Sequence, residues 1–177
     1  MIVHARELIG RPVLVVSDGT IVAEVKDVLI DPATASVVGF ALRGRGFFSS
    51  SSAGRIDIAD VQGIGPDAIT IAQHSQIQTA KQPSDEPAQQ QARAAVPGLA
   101  VMTDLGEVIG KVRDAILDFG GTDRQLVGYE IDRKDGGRGL IDRHDVLSVS
   151  DDAVVVGSDV GVLDARDVER LALTQRP

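Results

Sequence analysis

Two aspartates, Asp27 and Asp114, each stand inside an apolar run, GTIVAEVKDVLID and GEVIGKVRDAILD. A carboxylate on a half-buried strand must be hydrogen-bonded or paired. Each is therefore either an acceptor for backbone N–H groups at a bend or a functional group, and a functional pair would require both to face one cleft. The three histidines, His4, His74 and His144, are scattered, none at a ligand spacing from another. His144 lies between Asp142 and Asp145, a composition that could bind a metal or move a proton. However, Asp145 aligns with Asp60 of a repeated segment in which Ala59 replaces the histidine, which suits a solvated turn better. Gly44-Arg45-Gly46 and Gly136-Gly137-Arg138-Gly139 have the glycine content of phosphate cradles. Neither follows a strand and opens a helix, so both read as hairpin turns. Phe47 and Phe48 sit in a Gly- and Ser-rich loop over residues 44–54 with no strand to bury them. Exposed, such a pair marks a partner site; otherwise it packs on the end of its domain. The candidate partner-binding residues are thus Phe47, Phe48, Asp27 and Asp114, with no catalytic residue, cofactor site or metal site expected.

These groups must be positioned by a chain that says nearly the same thing twice. Gly19, Val25, Asp27 and Asp31 align with Gly106, Val112, Asp114 and Asp118 at an offset of 87. The match resumes at Val38-Gly39-Phe40 against Val127-Gly128-Tyr129, at Asp60-Val61 against Asp145-Val146, and at Asp67–Ile71 against Asp152–Val156. That period is too long for a solenoid unit and suits a small β domain used twice. The expected organisation is a domain at 1–77, a linker at 78–96 and a second domain at 97–177. The linker, QTAKQPSDEPAQQQARAAV, has no Ile, Leu or aromatic residue with which to offset the entropy of ordering.

Strands are expected at residues 13–16, 21–30, 36–42, 55–58 and 68–71, and in the second copy at 101–103, 108–118, 126–132, 138–141 and 153–156. Turn signals separate them, as in a small barrel or sandwich. Ile21, Ala23 and Val25 alternate; Val28-Leu29-Ile30 breaks the alternation, as a strand does where it bends or bulges. A final helix is expected with Asp164 as its cap and Leu163 and Val168 as a staple. Its stripe of Val168, Leu171 and Ala172 would pack on the second domain or serve as a dimer edge.

Composition removes whole classes of function. There is no cysteine, so disulfides and thiolate chemistry are excluded. Four Phe, one Tyr and no Trp leave few rings for stacking on bases or sugars, and the cores must be aliphatic. No run reaches the roughly 18–20 apolar residues that cross a bilayer, and MIVHARELIGRPVLVV lacks the pattern of a signal peptide. A soluble cytoplasmic protein without membrane insertion is expected. Net charge is −8; residues 1–77 carry −2, residues 78–96 zero and residues 97–177 −6. Such acidity opposes direct nucleic-acid binding, which depends on Lys and Arg displacing counterions.

The Gly turn, the apolar strand ending in Val-Lys-Asp-Val or Val-Arg-Asp-Ala, the Asp at its end and the following Val-Gly-Phe or Val-Gly-Tyr resemble the PRC-barrel domain. Glu7-Leu8-Ile9-Gly10-Arg11-Pro12-Val13 is similar to the usual entry into that barrel. The segments Ile56–Ile71 and Leu140–Val149 also fit the family's pattern. The resemblance implies an all-β fold of two tandem small barrels, like the cytoplasmic domain of the reaction-centre H subunit and the C-terminal domain of a ribosome maturation factor. It also implies a non-catalytic module that binds proteins. The function expected is an adaptor or regulatory scaffold, with a homodimer as one arrangement of the two barrels. The alternatives are an accessory factor in ribosome assembly or RNA metabolism acting through a basic protein partner and, more remotely, an enzyme using Asp114, Asp142 and His144.

Overall fold

The computed structural model describes residues 1–31, 33–44, 54–79, 97–120 and 124–174. The chain is mostly β and divides into two compact units. Glu7–Arg93 make the first, and Met1–Arg6 with Ala94–Pro177 make the second. In chain order the elements open with β1 (Ile2–His4), α1 (Ala5–Leu8) and β2 (Pro12–Val15). The rest of the first unit is β3 (Thr20–Ile30), β4 (Val37–Gly44), β5 (Gly54–Asp57), β6 (Val61–Ile64), β7 (Ile69–Ile71) and β8 (Gln78–Thr79). The second has β9 (Ala100–Thr103), β10 (Val108–Asp118), β11 (Gln125–Arg133), β12 (Arg138–Asp142), β13 (Val146–Val149), β14 (Ala153–Val156), β15 (Leu163–Asp164) and α2 (Val168–Thr174).

The first sheet runs β6-β7-β2-β3-β4-β5-β8, and the second β13-β14-β9-β10-β11-β12-β15. Strand for strand this is one path used twice. Each copy contains the same parallel pair, β2 with β7 and β9 with β14, within an otherwise antiparallel sheet. The matching glycines have matching reasons. Gly19 and Gly106 turn the chain at φ 73° and 85°, in the left-handed region that L side chains avoid. Gly39 and Gly128 face the next strand so closely that a Cβ would overlap the carbonyl oxygen of Ile56 or Ile141.

The break in alternation along β3 is a bulge. Pairing with β4 slips between Val25 and Asp27; Ala23 and Val25 are buried before it, Val28 and Ile30 after it. An extra residue shifts the inward set by one, which keeps both halves of the strand facing the core. β10 slips at the equivalent place, between Val112 and Asp114. The cores are mostly aliphatic, with Phe40 and Tyr129 as their buried rings. Phe40, Leu42, Ile56, Ile69 and Ile71 fill the first; Ile131, Ile141 and a cluster of Ile116, Val127, Leu140 and Leu171 fill the second.

Three boundaries differ from the sequence expectation. Met1–Arg6 pack with the second unit, not the first: Ile2, Val3 and His4 pair with Asp118, Leu117 and Ile116 of β10. β9 occupies the edge of β10 only from Val108 to Lys111, so the far end of that edge needs another partner for its backbone groups. Gln78 and Thr79, at the head of the expected linker, pair with Arg55 and Gly54; residues 80–96 lie outside the described residues. The last helix begins at Val168 rather than beside Asp164. Leu163 is held in β15 opposite Leu140, and Asp164 accepts a 2.9 Å bond from the Arg166 N–H, which turns the chain before α2 starts. Leu171 then buries against the second unit.

Candidate functional site

The bulge in β10 leaves Arg113 as the extra residue and sets Asp114 directly opposite Glu130 on β11. Asp114 is 1% exposed and Glu130 4%. Two carboxylates side by side in an apolar sheet cannot stay ionised without cations, and the N-terminal segment brings them. The Arg6 and Ala115 N–H groups donate to Asp114 Oδ1 at 3.2 and 2.9 Å. Asp114 Oδ2 is 3.3 Å from Arg6 Nε and 3.4 Å from His4 Nδ1. Glu130 Oε2 is 3.6 Å from Arg6 Nη1, 3.7 Å from His4 Nδ1 and 3.7 Å from Arg113 Nε. Arg138 reaches Glu130 Oε1 at 3.9 Å, and Arg113 also pairs with Asp132 at 3.2 Å.

This cluster is charged but incompletely hydrogen-bonded. His4 Nδ1, Arg113 Nε, Asp114 Oδ2 and Glu130 Oε2 are four of the five buried side-chain polar atoms without a hydrogen bond among the described residues. Burial pushes the Asp114 carboxyl above its ordinary range, against the opposing pull of the Arg6 and Ala115 N–H groups and of the His4 and Arg6 charges. Chemically, the arrangement is a clamp: a short strand held on a sheet by ion pairs.

The first unit has the same backbone and not the same chemistry. Its bulged residue is Lys26, and Asp27 stands opposite Ala41 where the second unit has Glu130. Asp27 is half-buried, and its Oδ1 accepts the Val28 N–H at 2.9 Å, as Asp114 does from Ala115. Both aspartates therefore terminate a bulge by binding the next backbone N–H. Asp114 also meets His4 and Arg6 from the chain's start.

Each histidine has an aspartate beside it. His74 Nε2 lies 2.8 Å from Asp18 Oδ2, and Asp18 Oδ1 accepts from the Thr20 hydroxyl at 2.6 Å. The Thr20 hydroxyl first and His74 second pull the Asp18 carboxyl down to about 2. Asp142 Oδ1 lies 2.9 Å from both the backbone N and Nδ1 of His144, closing a one-turn 3-10 helix over Arg143–Asp145. Burial, with the Asp142 and Asp159 charges adding to it, pushes the nearby Asp145 carboxyl up. Among the described residues no three His, Asp or Glu side chains are arranged to hold a metal ion. Gly136, at φ 90°, lies in the β11–β12 hairpin, whereas Phe47 and Phe48 lie outside the described residues.

Sequence reasoning singled out Asp114 and missed Glu130, His4, Arg6 and Arg113. One signal was available for Glu130: it is the lone charge in Leu126–Ile131, at a position where the first copy has Ala41. His4 and Arg6 carried no signal, because their partners lie 108 or more residues away in the chain.

A search of curated proteins finds no match to this chain. The family model for the PRC-barrel domain matches residues 1–74. A PRC-barrel domain therefore lies at the start of the chain, followed by a second β domain of the same strand order.

Proposed function

We propose that this chain is a non-enzymatic adaptor built from two PRC-type barrels, the second diverged from the first, and that it acts by binding a protein partner. The shared strand order, parallel pair and bulge favour duplication of one domain. The observation that carries the binding role is the outer strand of the second sheet. β13 pairs only with β14 among the described residues, and it leaves Leu147 61% and Val149 38% exposed. An edge strand with unpaired backbone groups and exposed apolar side chains is where an extended segment adds by β-augmentation. Affinity purification of the full chain, compared with a Leu147→Asp, Val149→Asp variant, tests this. The expected result is a protein retained by the wild type and lost from the variant; identical sets from both would refute it.

The charge near this edge favours a second, narrower reading. Asp142, Asp145 and Asp159 crowd together beside β13, and Asp151 and Asp152 are exposed after it. A basic protein partner would suit them, as for an accessory factor in ribosome assembly or RNA metabolism. Co-purification with ribosomal particles at moderate salt is the expected outcome for that reading, and none would sink it.

A further inference from the structure

We propose that β13 takes a short apolar run of a partner chain, extended and carrying a lysine or arginine at each end, and that β6 of the first unit does not. This rests on β13 being the binding edge, and it says what the partner must present there. Pairing with β14 slips between Val146 and Ser148, so Leu147 is the extra residue of a bulge. Leu147 is 61% exposed and Val149 38%, which makes the middle of the edge apolar. Both ends are acidic. Asp145 ends the 3-10 turn before β13, with Asp142 and Asp159 near it; Asp151 and Asp152 lie exposed in the bend that follows. Burial first, and then the Asp142 and Asp159 charges, raise the Asp145 carboxyl, so an added cation relieves a repulsion there. Arg143 and His144 are the basic residues of that turn, and His144 already lies 2.9 Å from Asp142. A segment of about seven residues, apolar in its middle and cationic at its ends, matches this edge from Asp145 to Asp151.

The first unit has the same edge with its chemistry already answered. At the positions of Asp145, Leu147, Val149 and Asp151 it has Asp60, Gln62, Ile64 and Pro66. Gln62 is the extra residue of the equivalent bulge in β6, so a polar side chain stands where the second unit exposes Leu147. Asp60 Oδ1 accepts from Gln76 Nε2 at 3.2 Å, and Pro66 brings neither a charge nor an N–H. The Arg11 guanidinium donates to the Gly65 carbonyl oxygen at the end of β6, so the chain's own cation takes the place a partner's would fill. The counterpart of Arg11 is Leu99, because their carbonyls accept from the equivalent residues Val25 and Val112. Beside this edge the second unit thus has leucines where the first has Gln62 and Arg11, and an aspartate where it has Pro66. Those differences make one edge complementary to an apolar segment with basic ends and leave the other satisfied from within.

NMR titration of the isotopically labelled full chain with three synthetic peptides tests this. The first is Arg-Thr-Val-Ile-Val-Thr-Arg, which reads the same in both directions and so suits parallel or antiparallel pairing. The second has glutamate at both ends, and the third has serine in place of its three apolar residues. The first peptide is expected to shift the amide signals of residues 146–149 and to leave those of 61–64 in place. The other two should bind more weakly by about tenfold, and Leu147→Asp with Val149→Asp should remove the response to the first. Equal affinity for the arginine and glutamate peptides, a response centred on 61–64, or none at 146–149 would overturn the proposal. Affinity purification with the same double variant reads the underlying assignment separately. A protein lost from that variant, with peptides that do not differ, would keep β13 as the binding edge and overturn the segment proposed for it.

Discussion

The β3–β4 and β10–β11 hairpins are the same structure with different interiors. Each is a long strand with a bulge before an aspartate, and each has a glycine crossed closely by the next strand. Opposite the aspartate, one has Ala41 and the other Glu130. That difference of one side chain changes what the hairpin needs. With alanine opposite, the bulge holds one carboxylate, which accepts the next backbone N–H, while a glutamate adds a second, buried charge that requires cations. In the second unit they come from Arg113, Arg138 and the far end of the chain. The lesson is that the two units share a backbone solution and differ in the polar contents placed on it.

The largest expected effect tests the shared part. Gly39→Ala and Gly128→Ala should each destabilise their own unit by about 4 kcal/mol, since the added methyl must displace a backbone carbonyl in a paired strand. Residue-resolved unfolding of the full chain would show it, and a mild effect in one copy would mean that the hairpins are less alike than their topology.

Next comes the part that differs. Asp114→Ala removes the acceptor for two N–H groups and leaves Arg6 and His4 facing a single carboxylate, for a loss of about 3 kcal/mol. Asp27→Ala removes the acceptor of the Val28 N–H, for about 1 kcal/mol. Equal losses in denaturant unfolding would contradict the division between structural and clamping aspartates.

Much of this comparison was legible in the sequence. The repeat, the glycine turns, the long strands and the bulge all follow from local patterns: a left-handed turn needs Gly, and an inward set that shifts by one needs an extra residue. The short edge strands β6, β8, β13 and β15 leave no outline in the sequence, because two to four residues of pairing hardly alter hydrophobic periodicity. The clamp was half-legible. Asp114 stood out as a charge in an apolar run, but nothing in MIVHAR says which sheet it will join. Long-range pairing is set by which edge is left open, and that is a property of the folded unit.

The smallest effect sharpens the comparison at the first turn. The first copy has Asp18, Thr20 and, in space, His74; aligned with Asp18 and Thr20, the second copy has Leu105 and Glu107. Asp18 should titrate in NMR near its lowered value of about 2, and Thr20→Val should move the midpoint upward. Its contribution is present above the ordinary aspartate range and lost as pH falls toward that midpoint. A midpoint unmoved by Thr20→Val would count against the hydroxyl as the main cause.

Hydrogen exchange on the full chain carrying His4→Ala and Arg6→Ala tests most directly whether residues 1–6 complete the second unit. Removing both groups should speed exchange in 114–118 and 126–131 by about tenfold or more, with residues 12–30 and 37–44 unchanged. Unchanged protection in β10 and β11, or equal loosening of both units, would contradict it.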